Sequence, residues 1–589
     1  MGVRRVMSSN RPRGCGLALA AILATLATGL LTACGDSSSD ANLIGGFGPP
    51  RHGFADAGAG PGGSGGGGAL DPGGMGGTPL PPEVETEITL ALPQSSQRYV
   101  YAANPEGGTV AIIDAKTLAI QTLETGVRPT YLRTLAGTDD AIVLNIGTNE
   151  ATVIRQPAKG ARTHTVDVIE DANSIGVAPD GKHAVVWFDS SVPGAPNNSA
   201  SIQTISVLKL AAGADEEVQM TVGFRPRAVF FSTDSKAAYV VNEDGVSVLA
   251  FADIDAKGSG IARLVPLGAD LDKLAADVAV TSDGRFALAR EPGKSSLSLV
   301  DLASGAIRRL QLEQLAGVVK LQMAAAEAAA MDGQDAGAPP EPPPVEVTDL
   351  DLAPDGTFAL AVLRNQRAML RIPMPDGFDN PKAVKVVEVE GEVIGSATIS
   401  ATSDRALLYT TATAAERITI VDFANGNALR TVALRKTVEA VAVAPDGETA
   451  LIVHKKADGD PNQGGLDPDT AIDRSFGYSV LRLDSGQVKL QVTATTPGSF
   501  TLVPDSTFLF IVFRDDAADV RELHQVDMKS FLVKPFPLGS PPVSVGTVQS
   551  VTRVFVSQDH ADGRITFIDW QTGEARTVTG FELNSRIRD

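Results

Sequence analysis

From about residue 86 to the C-terminus the apolar residues come in short runs rather than at helical spacing. Runs such as Ala184-Val185-Val186-Trp187-Phe188 and Phe508-Leu509-Phe510-Ile511-Val512-Phe513 do not alternate with polar residues. Unbroken runs of that length mark strands buried on both faces. The runs come in fours, A to D. Between A and B lies a Pro-Asp-Gly turn in Ala178–Gly181, Ala353–Gly356 and Ala444–Gly447, with degraded copies at Thr281–Gly284, Ser232–Asp234 and Val503–Asp505. Asp-Gly between two apolar runs predicts a hairpin, because glycine takes the positive φ that such turns need. Run C ends in an aspartate before its own turn: AIIDAKTL, LSLVDLASG, ITIVDFANG and ITFIDWQTG. A carboxylate there is placed to accept turn N–H groups, and its recurrence from unit to unit marks it as structural rather than catalytic.

Ten such units start near residues 86, 128, 172, 225, 275, 347, 394, 437, 498 and 543. A period of roughly 40–60 residues with four strands each predicts an all-β chain, a β-propeller of four-stranded blades in a single ring of 7–10 blades. Either the ring is larger than usual or a terminal unit lies outside it. Phe581–Ile587 would then be a strand that closes the ring on the first unit. That first unit, Tyr99 to Gly126, carries Tyr-Val-Tyr-x-x-Asn followed by Thr109-Val110-Ala111-Ile112-Ile113-Asp114. It resembles the YVTN-type repeats of bacterial and archaeal surface and periplasmic propellers. The likeness spans about residues 86–580 in rhythm, is close only in this unit and looser around 405–431 and 552–573, and Tyr-Val-Thr-Asn itself is degraded to AYVVN (238–242) or RVFVSQ (553–558). What it implies is a fold. Some propellers resembling this one are lactonases or hold metal or redox cofactors.

In a propeller the A–B and C–D turns share one face, and the B–C and D–A segments share the other. Here A–B and C–D are mostly short, so that face is expected to be plain. The long segments are B–C, at Asp189–Ser199, Lys455–Gly477 and the shorter Asp515–Glu522, and D–A, at about Gln311–Glu346. Within the last, Val318–Met331 is alanine-rich and predicts a helix, lying over the channel mouth or facing solvent, and Gly333–Pro344 predicts an extended spacer. Insertions gathered on one face of a rigid scaffold are where a specific activity is expected.

Composition adds location. The net charge is −20, and residues 1–33 contribute four arginines (Arg4, Arg5, Arg11, Arg13) and no acid. So acidic a chain offers no footprint for nucleic acid, which needs clustered Lys/Arg. The arginines precede a short apolar run, Leu17–Leu31, and then Leu31-Thr32-Ala33-Cys34. This resembles the lipobox of bacterial lipoprotein signal peptides, which implies cleavage before Cys34, lipidation of its sulfur and anchorage in the cell envelope. Asp36 rather than Gly35 carries the acid after Cys34, which leans towards the outer membrane. Residues 1–33 are thus read as signal peptide, 34–85 as a disordered Gly/Pro-rich tether, and 86–589 as the propeller with its insertion at 311–346. A Gly-rich coil of about 50 residues spans on the order of 40 Å. Gly62-Gly63-Ser64-Gly65-Gly66 matches GxSxG, but it lacks the flanking strand and helix of a nucleophile elbow. The two cysteines, Cys15 and Cys34, both lie at this end, so residues 86–589 hold no disulfide, thiolate nucleophile or cysteine-ligated metal.

Candidate chemistry is sparse. Asp458, Asp460, Asp467 and Asp469, with Asp473, crowd the eighth unit's B–C segment, where Asp458–Gly464 has some character of a Ca²⁺ loop without its terminal glutamate. Of His52, His164, His183, His454, His524 and His560, none forms HxH, HxxxH or HExxH. His454, His524 and His560 fall near B–C positions of the last three units and would meet if they shared a face. No catalytic residue and no cofactor is assigned, Ca²⁺ aside. The reading is a lipid-anchored envelope propeller that binds an envelope protein or a glycan through its insertion-bearing face. A lactonase-like or metal-dependent hydrolase and a purely structural scaffold are the alternatives.

Overall fold

The computed structural model describes residues 95–581, apart from 193, 212–213, 269–276, 292 and 332–342. Cys34, the signal peptide, the tether and His52 lie outside the described residues, as does all but Phe581 of the expected closing strand. The chain forms ten antiparallel sheets in sequence order, each a meander A-B-C-D. Blade 1 has three described strands, B to D (Tyr99–Asn104, Thr109–Asp114, Ile120–Glu124), and Ser95 bridges to Val100 where strand A belongs. Blades 2 to 10 begin at Pro129, Ser174, Ala228, Asp277, Asp349, Ser396, Val438, Pro497 and Pro542.

The unbroken apolar runs find their reason in the packing. Ten buried apolar clusters occur among the described residues, and each lies between two successive blades. Blade 8 illustrates the division. Val453, Tyr478 and Val480 face blade 9, whereas Ile452 and Leu481 face blade 7. The tenth cluster joins Val548, Phe555, Ile565 and Phe567 of blade 10 to Val100, Ala111 and Ile113 of blade 1, so all ten units form one closed ring. Ser95 Oγ donates to Thr547 O (2.7 Å), Ser550 N donates to Gln97 O (2.7 Å), and the Arg553 guanidinium reaches Ala115 O across the same seam.

The turns behave as their residues dictate. Asp180, Asp355 and Asp446 each accept the N–H two residues on, and the following glycines Gly181, Gly356 and Gly447 have φ of 68°, 70° and 72°. At the C–D turns Asp114, Asp301 and Asp569 each accept two turn N–H groups.

Two expectations need correction. The A–B/C–D face is not plain. In blade 4 helix α1 (Phe251–Lys257) follows strand C directly, and Gly260–Ile261 then pairs parallel with the outer strand of blade 3 before strand D begins. In blade 6 the C–D connection also carries a short helix, α3 (Asp376–Asp379), whose Asp379 pairs with Arg308 of blade 5 (2.8 Å). The ninth unit, conversely, has no B–C insertion. Its strands run to Asp515 and from Val520, leaving a four-residue turn, because Arg514 and Arg521 continue the ladder as a cross-strand pair. The alanine-rich helix, α2 (Ala316–Met331), does form. Its base is seated between blades 5 and 6 through Leu315 and Val318, and Gly317 abuts Val386 of blade 6's outermost strand. It therefore stands at the flank of the ring and not over the channel mouth, with Val319 and Met323 exposed.

Candidate functional site

Strand A of each blade starts opposite the end of strand B, as in Asp349↔Val362 and Val438↔His454. The D–A and B–C segments therefore meet at one end of the ring, around the mouth of the axial channel. The three long segments, 188–203, 312–348 and 455–475, all leave from this end.

The histidines do not converge there. His454 ends strand B of blade 8, is 2% exposed, and places Nε2 2.7 Å from Ser479 Oγ and Nδ1 3.2 Å from Thr437 O. A carbonyl can only accept, so Nδ1 carries the proton and Nε2 accepts from the serine. A side-chain bond between the same two positions recurs elsewhere in the ring, with the strand-B residue as the donor instead. Asn145 donates to Thr152 Oγ1 (2.8 Å), Asn242 to Ser247 Oγ (2.9 Å) and Gln558 to Thr566 Oγ1 (2.6 Å), each from the last residue of strand B to a hydroxyl of strand C. His454–Ser479 is thus one version of a repeated structural link. Burial lowers the His454 pKa to about 4, against the bond to Thr437. His524 sits on the other side of blade 8's sheet, with Nδ1 3.3 Å from Tyr478 Oη and its ring 4.3 Å from Phe513. Ser479 and Tyr478 are successive strand residues and so point to opposite faces. His560 accepts the Asp562 N–H within blade 10's B–C turn, His164 is exposed beside Asp215, and His183 stacks on Phe251 of α1 (4.1 Å) with Nε2 3.2 Å from Asp255.

The eighth-blade carboxylates do not gather either. Among the described residues no group of three or more His, Cys, Asp or Glu is placed to hold a metal ion. Asp467 caps a short helix, α4 (Pro468–Asp473), accepting from Thr470 N (2.9 Å) and Thr470 Oγ1 (2.6 Å). Asp460 accepts the Asn462 N–H (2.8 Å), while Asp458 and Asp469 are exposed.

Other groups at this end were not singled out from sequence. Asp349 opens strand A of blade 6 and accepts the Ala397 N–H of blade 7. Its burial, with Asp351 beside it, holds its carboxyl well above the ordinary range. Asp277, one blade earlier, pairs with Arg290, whose Nη1 donates to Val347 O (2.6 Å). In blade 4 Arg227 pairs with Glu243 (2.6 Å), near the buried Asp189 of blade 3. A signal for two of these was present. Four residues before the A–B turns of blades 3 to 9 the chain reads Ser174, Ala228, Ser396, Ala440 and Ser499, but Asp277 and Asp349 in blades 5 and 6.

A family model described as lactonase, 7-bladed β-propeller matches residues 87–319. That is under half of the chain, and it stops midway around a ring of ten. No curated protein sequence matches. Among solved structures the chain is similar to dihydro-heme d1 dehydrogenase NirN in complex with DHE, at 14% identity and TM-score 0.38 over 68% of this chain and 80% of that one. It is also similar to a eukaryotic initiation factor, at 11% identity and TM-score 0.43 over 75% and 96%. A third is hydrazine synthase of Kuenenia stuttgartiensis, at 12% and 0.30 over 70% and 96%. At such identities and scores the likeness says nothing about chemistry.

Proposed function

We propose that this propeller is a binding module of the bacterial cell envelope, lipid-anchored through Cys34, and that the end bearing the B–C and D–A segments is its ligand face. The observation that carries the reading is that the three long segments all leave from one end of the ring. Rigid scaffolds with varied loops at one end are built for recognition. The net charge of −20 favours a basic, neutral or cation-bridged partner, another envelope protein or a glycan. The test is affinity purification of the lipidated protein from membranes, with and without residues 190–200 and 457–474. Loss of co-purifying partners from the shortened chain is expected, and an unchanged set overturns the assignment of the face. For the anchor, Cys34→Ser is expected to move the protein from the membrane to the soluble fraction, and retention at the membrane refutes it.

A second reading is favoured by the family match. Blades 3 to 5 lie within the matched stretch, and their mouth ends carry Asp189, Glu243 and Asp277 with Arg227 and Arg290. Carboxylates beside arginines suit hydrolysis of a lactone, one activating water and the other steadying the oxyanion. Turnover of a lactone panel followed by proton release, abolished by Glu243→Gln, supports this reading, and no release from any lactone excludes it for that panel.

A further inference from the structure

The B–C segment of blade 8 is folded with little apolar support: from Lys455 to Phe476 no residue is fully buried, and Leu466, Ala471 and Ile472 are half-buried. Polar bonds tie it together. Ala457 N donates to Asp473 O (2.8 Å), Arg474 lies over Gly459 and donates to Gln463 Oε1 (3.0 Å), and Lys456 packs on the Phe476 ring. One side chain of the ring reaches it from beneath. Lys436, in the linker from blade 7 to blade 8, is 1% exposed, and its Nζ donates to Ile472 O (2.8 Å) and Asp473 O (2.9 Å) at the end of α4. Burial pushes its pKa below the ordinary lysine value, with Asp473 and Glu416 opposing. A buried ammonium is costly unless its N–H groups are satisfied, and these two carbonyls are the partners that satisfy it.

We propose that residues 456–475 form a strap that docks across the boundary of blades 7 and 8 as one unit, and that Lys436 is the latch that sets its docked position. The strap then has two states. Docked, it covers Lys436. Released, it exposes an unpaired cation and frees the acidic segment to swing over the mouth. Lys455 stands at its hinge, its Nζ bound to Thr411 O of blade 7. The consequence for ligand capture rests on reading this end as the binding face, but the latch itself does not, and it is tested without a partner.

The experiment is hydrogen exchange followed by mass spectrometry on the full chain, comparing wild type with Lys436→Met and Lys436→Arg. Methionine keeps the stem and removes every N–H. The amides of Ala457, Ala471 and Arg474, all bonded within the strap, are expected to exchange about tenfold faster in Lys436→Met, as expected for a unit that has lost its main tie. Arginine restores slower exchange in part. Strands A and B of blade 8 (Val438–Val443, Thr449–His454) keep wild-type protection. Unchanged strap exchange overturns the proposal, and so does loss of protection throughout blade 8, which would make Lys436 a packing residue. Should Lys436→Met not fold, Asp467→Ala removes the α4 cap from outside. Faster exchange confined to 457–474 supports one cooperative strap, whereas faster exchange of α4 alone refutes it.

Discussion

At the scale of single residues the ring shows how one position can hold several side chains for one purpose. Asn145, Asn242, Gln558 and His454 all end a second strand and bond a buried hydroxyl on the third. Only His454 titrates in the range of mild acid. Its folded pKa, about 4, lies below the ordinary 6.5. The unfolded chain therefore binds the proton more readily, and stability is fully present above about pH 6.5 and falls as the pH drops towards 4. A gap of that size corresponds to on the order of 3 kcal/mol. His454→Asn, which copies the Asn242–Ser247 link, is expected to flatten the melting temperature between pH 4 and 6.5 while costing under about 1 kcal/mol at pH 7.5. A variant that keeps the wild-type acid slope would mean that other groups carry it. The residue's role was hidden in the sequence, because a histidine after ALIV looks like a candidate base. It becomes plain only when the four units are aligned and its partner is seen to be the hydroxyl that asparagine contacts elsewhere. Asp349 was hidden for the opposite reason, being an acid inside a run that reads as an ordinary strand.

At the scale of elements the sequence was most informative wherever a turn imposes a residue. The starts of blades 2 to 10 could be read to within about three residues, because an Asp-Gly turn or a degraded copy of it lies between strands A and B in many units and an aspartate closes strand C in several. What was missed depends on pairing across blades. Helix α1 follows its strand with no capping residue, and the Gly260–Ile261 strand exists only because the edge of blade 3 is beside it. No local pattern encodes such a neighbour. The turn glycines also differ in ways that their shared motif conceals. Gly284 and Gly356 have φ of 69° and 70°. A Cβ on Gly356 would meet only Ser282 Oγ at 3.9 Å, whereas one on Gly284 would overlap the Tyr239 hydroxyl of blade 4. Gly356→Ala is expected to cost about 1 kcal/mol from the left-handed backbone alone. Gly284→Ala adds overpacking, for about 3 kcal/mol in all. Urea unfolding compares the two, and equal costs would show that Tyr239 swings aside freely.

At the scale of the whole molecule the question is how a ring of ten closes. The four strands of blade 10 (Pro542–Val548, Arg553–Gln558, Arg564–Asp569, Ala575–Thr579) all come from the C-terminal end, and those described for blade 1 all come from the N-terminal end. Among the described residues the contact between the two ends is side-chain packing and a few hydrogen bonds, and the chain has no cysteine beyond residue 34 that could link them covalently. Phe581 closes this seam: it is buried among Val548, Phe555, Phe567 and Val100, and its ring lies where a Cβ on Gly563 would go. In a repeat array each interface contributes its own term to stability, so a defect at the seam should act locally. Phe581→Ala removes a buried aromatic ring and is expected to cost about 3 kcal/mol. Hydrogen exchange should then accelerate first in blades 1 and 10, at strands such as Thr109–Asp114 and Arg553–Gln558, while Phe358–Leu363 of blade 6, half a ring away, keeps its protection. Uniform loss around the ring would instead mean that the ten blades unfold as one cooperative body, and that no interface is privileged by lying between the chain's two ends.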